Sequence, residues 1–224
     1  VLVLVSLYFF NGKFKLIRPS IKTIDFKVFN DLAQLGVNFF ILQVAVLIIF
    51  TTDNMIITQI LGPQEVIPYN IAFKYFSIPI MIFTIIVTPF WSAFTDAFVN
   101  MDIAWIKKSI RRLNQIFLLL LVLIISMYLV ANHFYYFWIG DEVYISPLLS
   151  FFMAMFAILS TWNNIYTFFL NGIGKIKLQI VYSIIAMILN IPISVFFAKN
   201  LDFGSTGVIM GTCFSLSFAA IFAP

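Results

Sequence analysis

From Leu113 to Asn132 the chain runs for a full membrane thickness without one charged side chain, and the same pattern recurs along its length. A helix needs about 20 predominantly apolar residues to cross a hydrocarbon core of ~30 Å. Once in lipid, its backbone polar groups must be satisfied within the segment, which favours helices. Reading on this basis predicts a truncated span at 1–10, then spans near 31–60, 67–94, 113–132, 147–170, 178–198 and 205–224. Composition agrees. Hydrophobic residues make up 62% of the 224 and charged residues 10%, against roughly 25% charged in a soluble domain. Too few charges remain to clothe a water-facing surface, which excludes a soluble enzyme. The expected fold is all-α, a polytopic transmembrane helix bundle.

The charges that exist are not scattered. Lys13, Lys15, Arg18, Lys22 and Lys27 follow the first span; Lys107, Lys108, Arg111 and Arg112 come two spans later; Lys175 and Lys177 come two spans after that. The alternate loops carry Glu65, then Asp141 and Glu142, then Lys199 beside Asp202. Eleven of the 13 cations therefore fall on one side, which the positive-inside rule makes cytoplasmic. Basic loops beside membrane helices orient the protein and attract anionic headgroups, so the net charge of +4 does not point to nucleic acid. His133-Phe134-Tyr135-Tyr136-Phe137-Trp138 reads as an interfacial aromatic belt on the opposite side. The chain opens on Val1-Leu2-Val3-Leu4-Val5 and closes on an apolar run to Pro224. We read both ends as cut through hydrophobic helices of a longer protein.

Little in the sequence suits covalent chemistry. His133 is the only histidine and Cys213 the only cysteine, so neither a disulfide framework nor a thiolate metal site is expected. Asn171-Gly172-Ile173-Gly174-Lys175 resembles the end of a phosphate loop, but Phe169 stands where the first glycine belongs and Ile176 where the magnesium-binding hydroxyl belongs. It reads as a tight turn between two spans. Gly207 and Gly211 form a small-xxx-small pattern that suits close approach of two helices within the bundle. No cofactor, no metal and no catalytic residue are expected.

The informative residues are ionisable groups at depth, which cost at least ~2.5 kcal/mol at the bilayer centre and so tend to face a cavity or a partner. Asp53 lies ten residues before Pro63 and Lys74 eleven after it. In an antiparallel hairpin turning at Leu61-Gly62-Pro63-Gln64, both sit roughly 15 Å from the outer end at 1.5 Å per residue. They can pair, or both can line one water-filled cavity. Asn54, Gln59 and Gln43 accompany Asp53, while Asn70 and Tyr75 accompany Lys74; Asn163, Asn164 and Asn190 are weaker polar candidates. The set predicted to bind substrate is Lys74, Asp53, Asn54 and Asn70. Lys74 would meet an anionic group, and Asp53 would hold or tune it.

The segment from Thr52 through Gln59 to Val66 resembles the start of a lobe in the bacterial polysaccharide flippases, the O-antigen and capsule repeat-unit exporters. Their superfamily also holds multidrug and toxic compound extrusion transporters. Thr88-Pro89-Phe90-Trp91-Ser92-Ala93-Phe94-Thr95-Asp96-Ala97 and Leu170 through Gln179 are similar to that family's cytoplasmic ends, and Asn190-Ile191-Pro192-Ile193-Ser194 with 204–211 to its later helices. The resemblance runs from about residue 31 to the end. It implies 12 to 14 helices in two six-helix lobes, of which this chain holds a truncated helix at 1–10, a basic inter-lobe loop at 11–30 and the second lobe at 31–224. It implies movement of an undecaprenyl-pyrophosphate-linked oligosaccharide from inner to outer leaflet of the bacterial inner membrane by alternating access. Its partners would be that lipid-linked substrate, the bilayer and polysaccharide assembly proteins, with a monomer as the full-length state. A multidrug or cation extrusion transporter is the nearest alternative. A membrane-embedded polymerase or glycosyltransferase is a more distant one.

Overall fold

The structure, a computed structural model, describes residues 2–12, 14 and 26–222. The basic segment expected at 11–30 therefore lies largely outside the described residues. The described chain is all-α: α1 (Leu2–Asn11), α2 (Phe26–Ile60), a 3-10 turn (Pro63–Glu65), α3 (Val66–Val87), α4 (Phe90–Val99), α5 (Ile103–Ile139), α6 (Pro147–Gly172), α7 (Lys177–Val195), a π-helical turn (Phe196–Asn200) and α8 (Gly204–Phe222). Among the described residues, five stretches are long and apolar enough to cross a membrane: Val28–Ala45, Pro63–Val99, Ile103–Ile139, Pro147–Gly172 and Gln179–Asn200. This is a multi-pass membrane protein.

Two units make up the chain, 1–40 and 41–224. In the first, Tyr8 and Phe9 meet edge to face, and Leu32, Val37 and Phe40 on α2 are exposed, as lipid-facing residues are.

In the second, α6 packs against α3, α4, α5 and α8, and α7 packs on α8. One core cluster gathers Ile57, Phe76, Ile124, Leu149, Met153 and Ile209; another gathers Phe83, Phe94, Leu113, Phe117 and Ile165. Outward, Leu118, Leu119, Val122 and Leu129 of α5 are exposed.

Three elements differ from the sequence reading. The span expected at 67–94 is two helices, because Pro89 has no N–H to continue the ladder and the chain restarts as α4. α4 buries Phe94 and Ala97 and presses onto the end of α6. A side chain at Gly172 would meet Phe94 Cβ at 2.8 Å and the Trp91 carbonyl at 2.9 Å, and the Thr95 hydroxyl donates to the Gly172 carbonyl at 2.6 Å. α5 starts ten residues before the expected 113. The Asp102 side chain caps it by accepting from the Trp105 N–H at 2.9 Å. Its first turns are amphipathic: Ile106, Ser109 and Leu113 are buried, while Lys107, Lys108, Arg111 and Arg112 are exposed. The basic cluster is thus a helix face and not a loop. Finally α7, which holds Pro192 within it, ends in the π-helical turn.

Gly207 and Gly211 act within the bundle. Cβ atoms there would come within 2.5 Å of the Ala198 N and 2.7 Å of the Ser194 Cα. α8 is walled in by protein over much of its length: 205–209 and 211–213 are buried and include Ser205, Thr206 and Thr212. The run at 171–175 is a tight turn, with Gly174 at φ +70° and the Lys175 N–H donating to the Leu170 carbonyl.

Candidate functional site

Two polar features lie on the α2–α3 hairpin. The first is interior. Asp53 sits on the buried stripe of α2 with Ile56 and Ile57 and is 3% exposed. The Tyr69 hydroxyl, from the first turn of α3, donates to its Oδ2 at 2.6 Å. From α8, the Thr212 hydroxyl lies 3.1 Å from both carboxylate oxygens, and Asn190 Nδ2 of α7 donates to the Thr212 oxygen at 3.0 Å. Four helices thus converge on one carboxylate. Asn190 and Thr212 are fully buried, and Asp53 and Tyr69 nearly so.

The second feature faces outward. Lys74 is exposed and, one turn on, Ser77 donates its hydroxyl to the Lys74 carbonyl at 2.8 Å. Asn70, Lys74, Ser77, Met81, Thr84 and Thr88 follow one another at spacings of four and three, a single face of α3. Ser160, Asn164, Thr167 and Asn171 repeat that spacing on α6. Where the two helices pack they frame a groove of about 510 Å³, lined by Ser77, Thr84, Ser160 and Asn164 among Phe73, Ile80, Met81 and Phe156. The Ser160 hydroxyl is buried there without a hydrogen-bond partner.

Of the two arrangements left open for Asp53 and Lys74, pairing does not form. Asp53 takes its hydrogen bonds from Tyr69 and Thr212, and among the described residues no ion pair holds Lys74. Equal depth along a hairpin does not bring two side chains together when they point to different sides of it. Asn70, half-buried, heads the Lys74 face. Asn54, half-buried, borders a shallow groove with Met55, Thr58 and Gln59, and its Oδ1 is unpartnered. Among the weaker candidates, Asn163 Nδ2 donates to the Leu216 carbonyl at 3.2 Å, while Asn164 lines the groove.

Tyr69 and Thr212 were not foreseen as site residues. Tyr69 carries a faint signal, a phenol sixteen residues beyond a buried acid across a tight turn. Thr212, 159 residues away, carries none. Among the described residues no group of histidine, cysteine, aspartate and glutamate is arranged to hold a metal ion. Chemically, the outward face offers a cation and hydroxyls beside apolar walls, and the interior offers one carboxylate with neutral donors. Compared with known protein families, with curated proteins and with solved structures, the chain matches none of them.

Proposed function

We propose that this chain is the second lobe of a multi-pass transporter that moves an anionic, lipid-linked oligosaccharide from the inner to the outer leaflet of the bacterial inner membrane by alternating access, with its basic clusters on the cytoplasmic side. The observation that carries the reading is the α3–α6 groove, where Ser77, Thr84, Ser160 and Asn164 sit among apolar walls, with exposed Lys74 on the same α3 face as Ser77 and Thr84. A substrate with a charged, hydrated head and a lipid tail needs such a surface. The polar face replaces water around the head, the cation meets a pyrophosphate, and the tail stays in the bilayer. A cationic side chain at membrane depth is costly unless it serves a partner or an aqueous path. The process breaks no covalent bond, so the lobe needs no catalytic residue.

The test deletes the full-length gene in its host and complements with wild type or Lys74→Ala. Lipid-linked oligosaccharide trapped on the cytoplasmic leaflet of the deletion strain, rescued by wild type and not by Lys74→Ala at equal expression, supports the reading. Normal surface polysaccharide with heightened sensitivity to cationic drugs overturns it in favour of an extrusion transporter.

A further inference from the structure

The last turn of α5 and the loop after it build a cleft that neither the α3–α6 groove nor the Asp53 network uses. Gly140 closes α5 at φ +78°, a conformation that glycine takes without strain, and its N–H still donates to the Tyr136 carbonyl at 2.9 Å. The chain then turns back: Ile145 joins Tyr135 in a core cluster, and the Ser146 side chain caps α6. Between them lies a cleft of about 300 Å³, lined by Asn132, Tyr135, Tyr136, Asp141 and Tyr144, at the far end of α5 from its basic face. Such a volume is within the range of small-ligand sites.

An interfacial belt accounts for only part of the aromatic run at 133–138. At 100° per residue, Asn132, Tyr135 and Tyr136 fall within one arc of about 100° on α5, and Phe137 stands about 100° beyond Tyr136. Phe137 is 88% exposed, as a belt residue is, while Phe134 packs on Tyr75 and Trp138. Tyr136 and Tyr144 instead bring two rings to a cleft that also holds an amide and a carboxylate. The polar groups there are unspent. Among the described residues no hydrogen bond or ion pair holds the side chains of Asn132 and Asp141 or the hydroxyls of Tyr136 and Tyr144. Buried Ser150 donates to the Tyr135 oxygen at 3.3 Å, which leaves the Tyr135 hydrogen to be given elsewhere.

We propose that this cleft binds a sugar ring. A pyranose has faces of C–H bonds and a rim of hydroxyls that both donate and accept. The tyrosine rings supply apolar surface for the faces. For the rim, the Asp141 carboxylate accepts, the Tyr135 hydroxyl donates and the Asn132 amide does both. An organic cation fits less well. Aromatic rings and a carboxylate attract it, but it accepts no hydrogen bond, so the donors of Asn132 and Tyr135 would be covered and unpaired. A phosphate would meet Asp141 with Glu142 beside it, so the cleft suits the uncharged sugar and not an anionic group. That the ring belongs to a transported head rests on the transporter reading; the sugar site itself does not.

The test is saturation-transfer NMR on the purified full-length protein in phospholipid nanodiscs. The probes are the methyl glycosides of glucose, galactose, mannose and N-acetylglucosamine. No transport is involved, so the result can succeed or fail apart from the flipping assay. Saturation should reach the ring C–H protons of at least one glycoside. Its apparent Kd should weaken about tenfold in Tyr144→Ala and in Asp141→Asn, roughly the worth of one stacked ring or one charge-assisted hydrogen bond. Phe137→Ala should leave it unchanged. Tyr144 is 80% exposed and Asp141→Asn is near-isosteric, so thermal midpoints equal to wild type are expected for both. The dodecyl glycoside of the sugar that binds separates two sources: stronger competition than the methyl glycoside assigns the site to a sugar held on a lipid, and equal competition to a sugar in solution. Absence of transfer to all four glycosides overturns the proposal. So does equal weakening by Phe137→Ala, which would make the rings a belt alone, or displacement of the sugar by tetramethylammonium, which would make the cleft a cation site.

Discussion

Asp53 and Lys74 occupy one helical hairpin at matching distances from its turn, yet their environments are opposite. Asp53 is enclosed by groups from three other helices, whereas Lys74 faces out along a polar stripe. Rotation about the helix axis makes the difference. On α3 the buried stripe is Tyr69, Ala72, Phe76, Phe83 and Val87, and Lys74, two residues before Phe76, lies about 200° round from it at 100° per residue. On α2 the buried stripe is Leu42, Ala45, Asp53 and Ile56, and the acid stands in the middle of it. Depth in the membrane sets the cost of a charge. Azimuth decides whether protein or the outer face answers it.

The most severe way to break the contrast is to open the wall of the interior site. Gly211 lets α8 approach α7 so closely that a Cβ there would lie 2.7 Å from the Ser194 Cα and backbone nitrogen. Backbone cannot yield as a flexible side-chain tip does. Gly211→Leu should therefore cost about 3 kcal/mol, the upper end of ordinary overpacking, read as a fall in the thermal midpoint of the detergent-solubilised protein. The change should reach Thr212 and Asp53 while the α3–α6 groove stays formed. A midpoint within error of wild type would mean that α7 and α8 do not pack as described.

Next in size is Tyr69→Phe, which removes one hydroxyl and almost no volume. The phenol bonds to Oδ2 at 2.6 Å, and a hydrogen bond to a charged group is worth about 1.5–3 kcal/mol. Loss of that much stability is expected where Asp53 is ionised. Thermal midpoints of the variant and wild type check this. A midpoint that does not move would contradict the bond between Tyr69 and Asp53.

Helix positions were largely legible in the sequence because apolar length is a strong signal. What failed were the places where local chemistry overrode it. The cations at 107–112 suggested a loop, but on an amphipathic turn they occupy one face while Ile106 and Leu113 bury the other. Pro89 divides in two the run expected as a single span at 67–94. The site was half legible. Asp53 and Lys74 announce themselves as charges within apolar runs, and their depth follows from counting. Their partners do not follow, because the choice of neighbours belongs to tertiary packing. Asn190 reaches Thr212 across 22 residues and Thr212 reaches Asp53 across 159, and no local pattern encodes either meeting. The small residues of α8 showed that something would come close there, without showing what.

The smallest effect is the one that separates the two regions most cleanly. Lys74 is exposed, engages in no ion pair among the described residues, and lends only its backbone carbonyl to Ser77. Lys74→Gln keeps that carbonyl and a polar, comparably long side chain, so nothing that holds the bundle is removed. Surface substitutions away from special features usually stay within ±0.5 kcal/mol, and the thermal midpoint of Lys74→Gln should not move beyond that. If the proposed function holds, the same variant should fail to rescue export of the lipid-linked oligosaccharide, because glutamine supplies hydrogen bonds but no charge to a pyrophosphate, while Lys74→Arg should rescue it at least in part. A stability loss as large as that of Tyr69→Phe would instead place Lys74 among the groups that hold the fold, and would remove the physical reason for assigning it to a substrate.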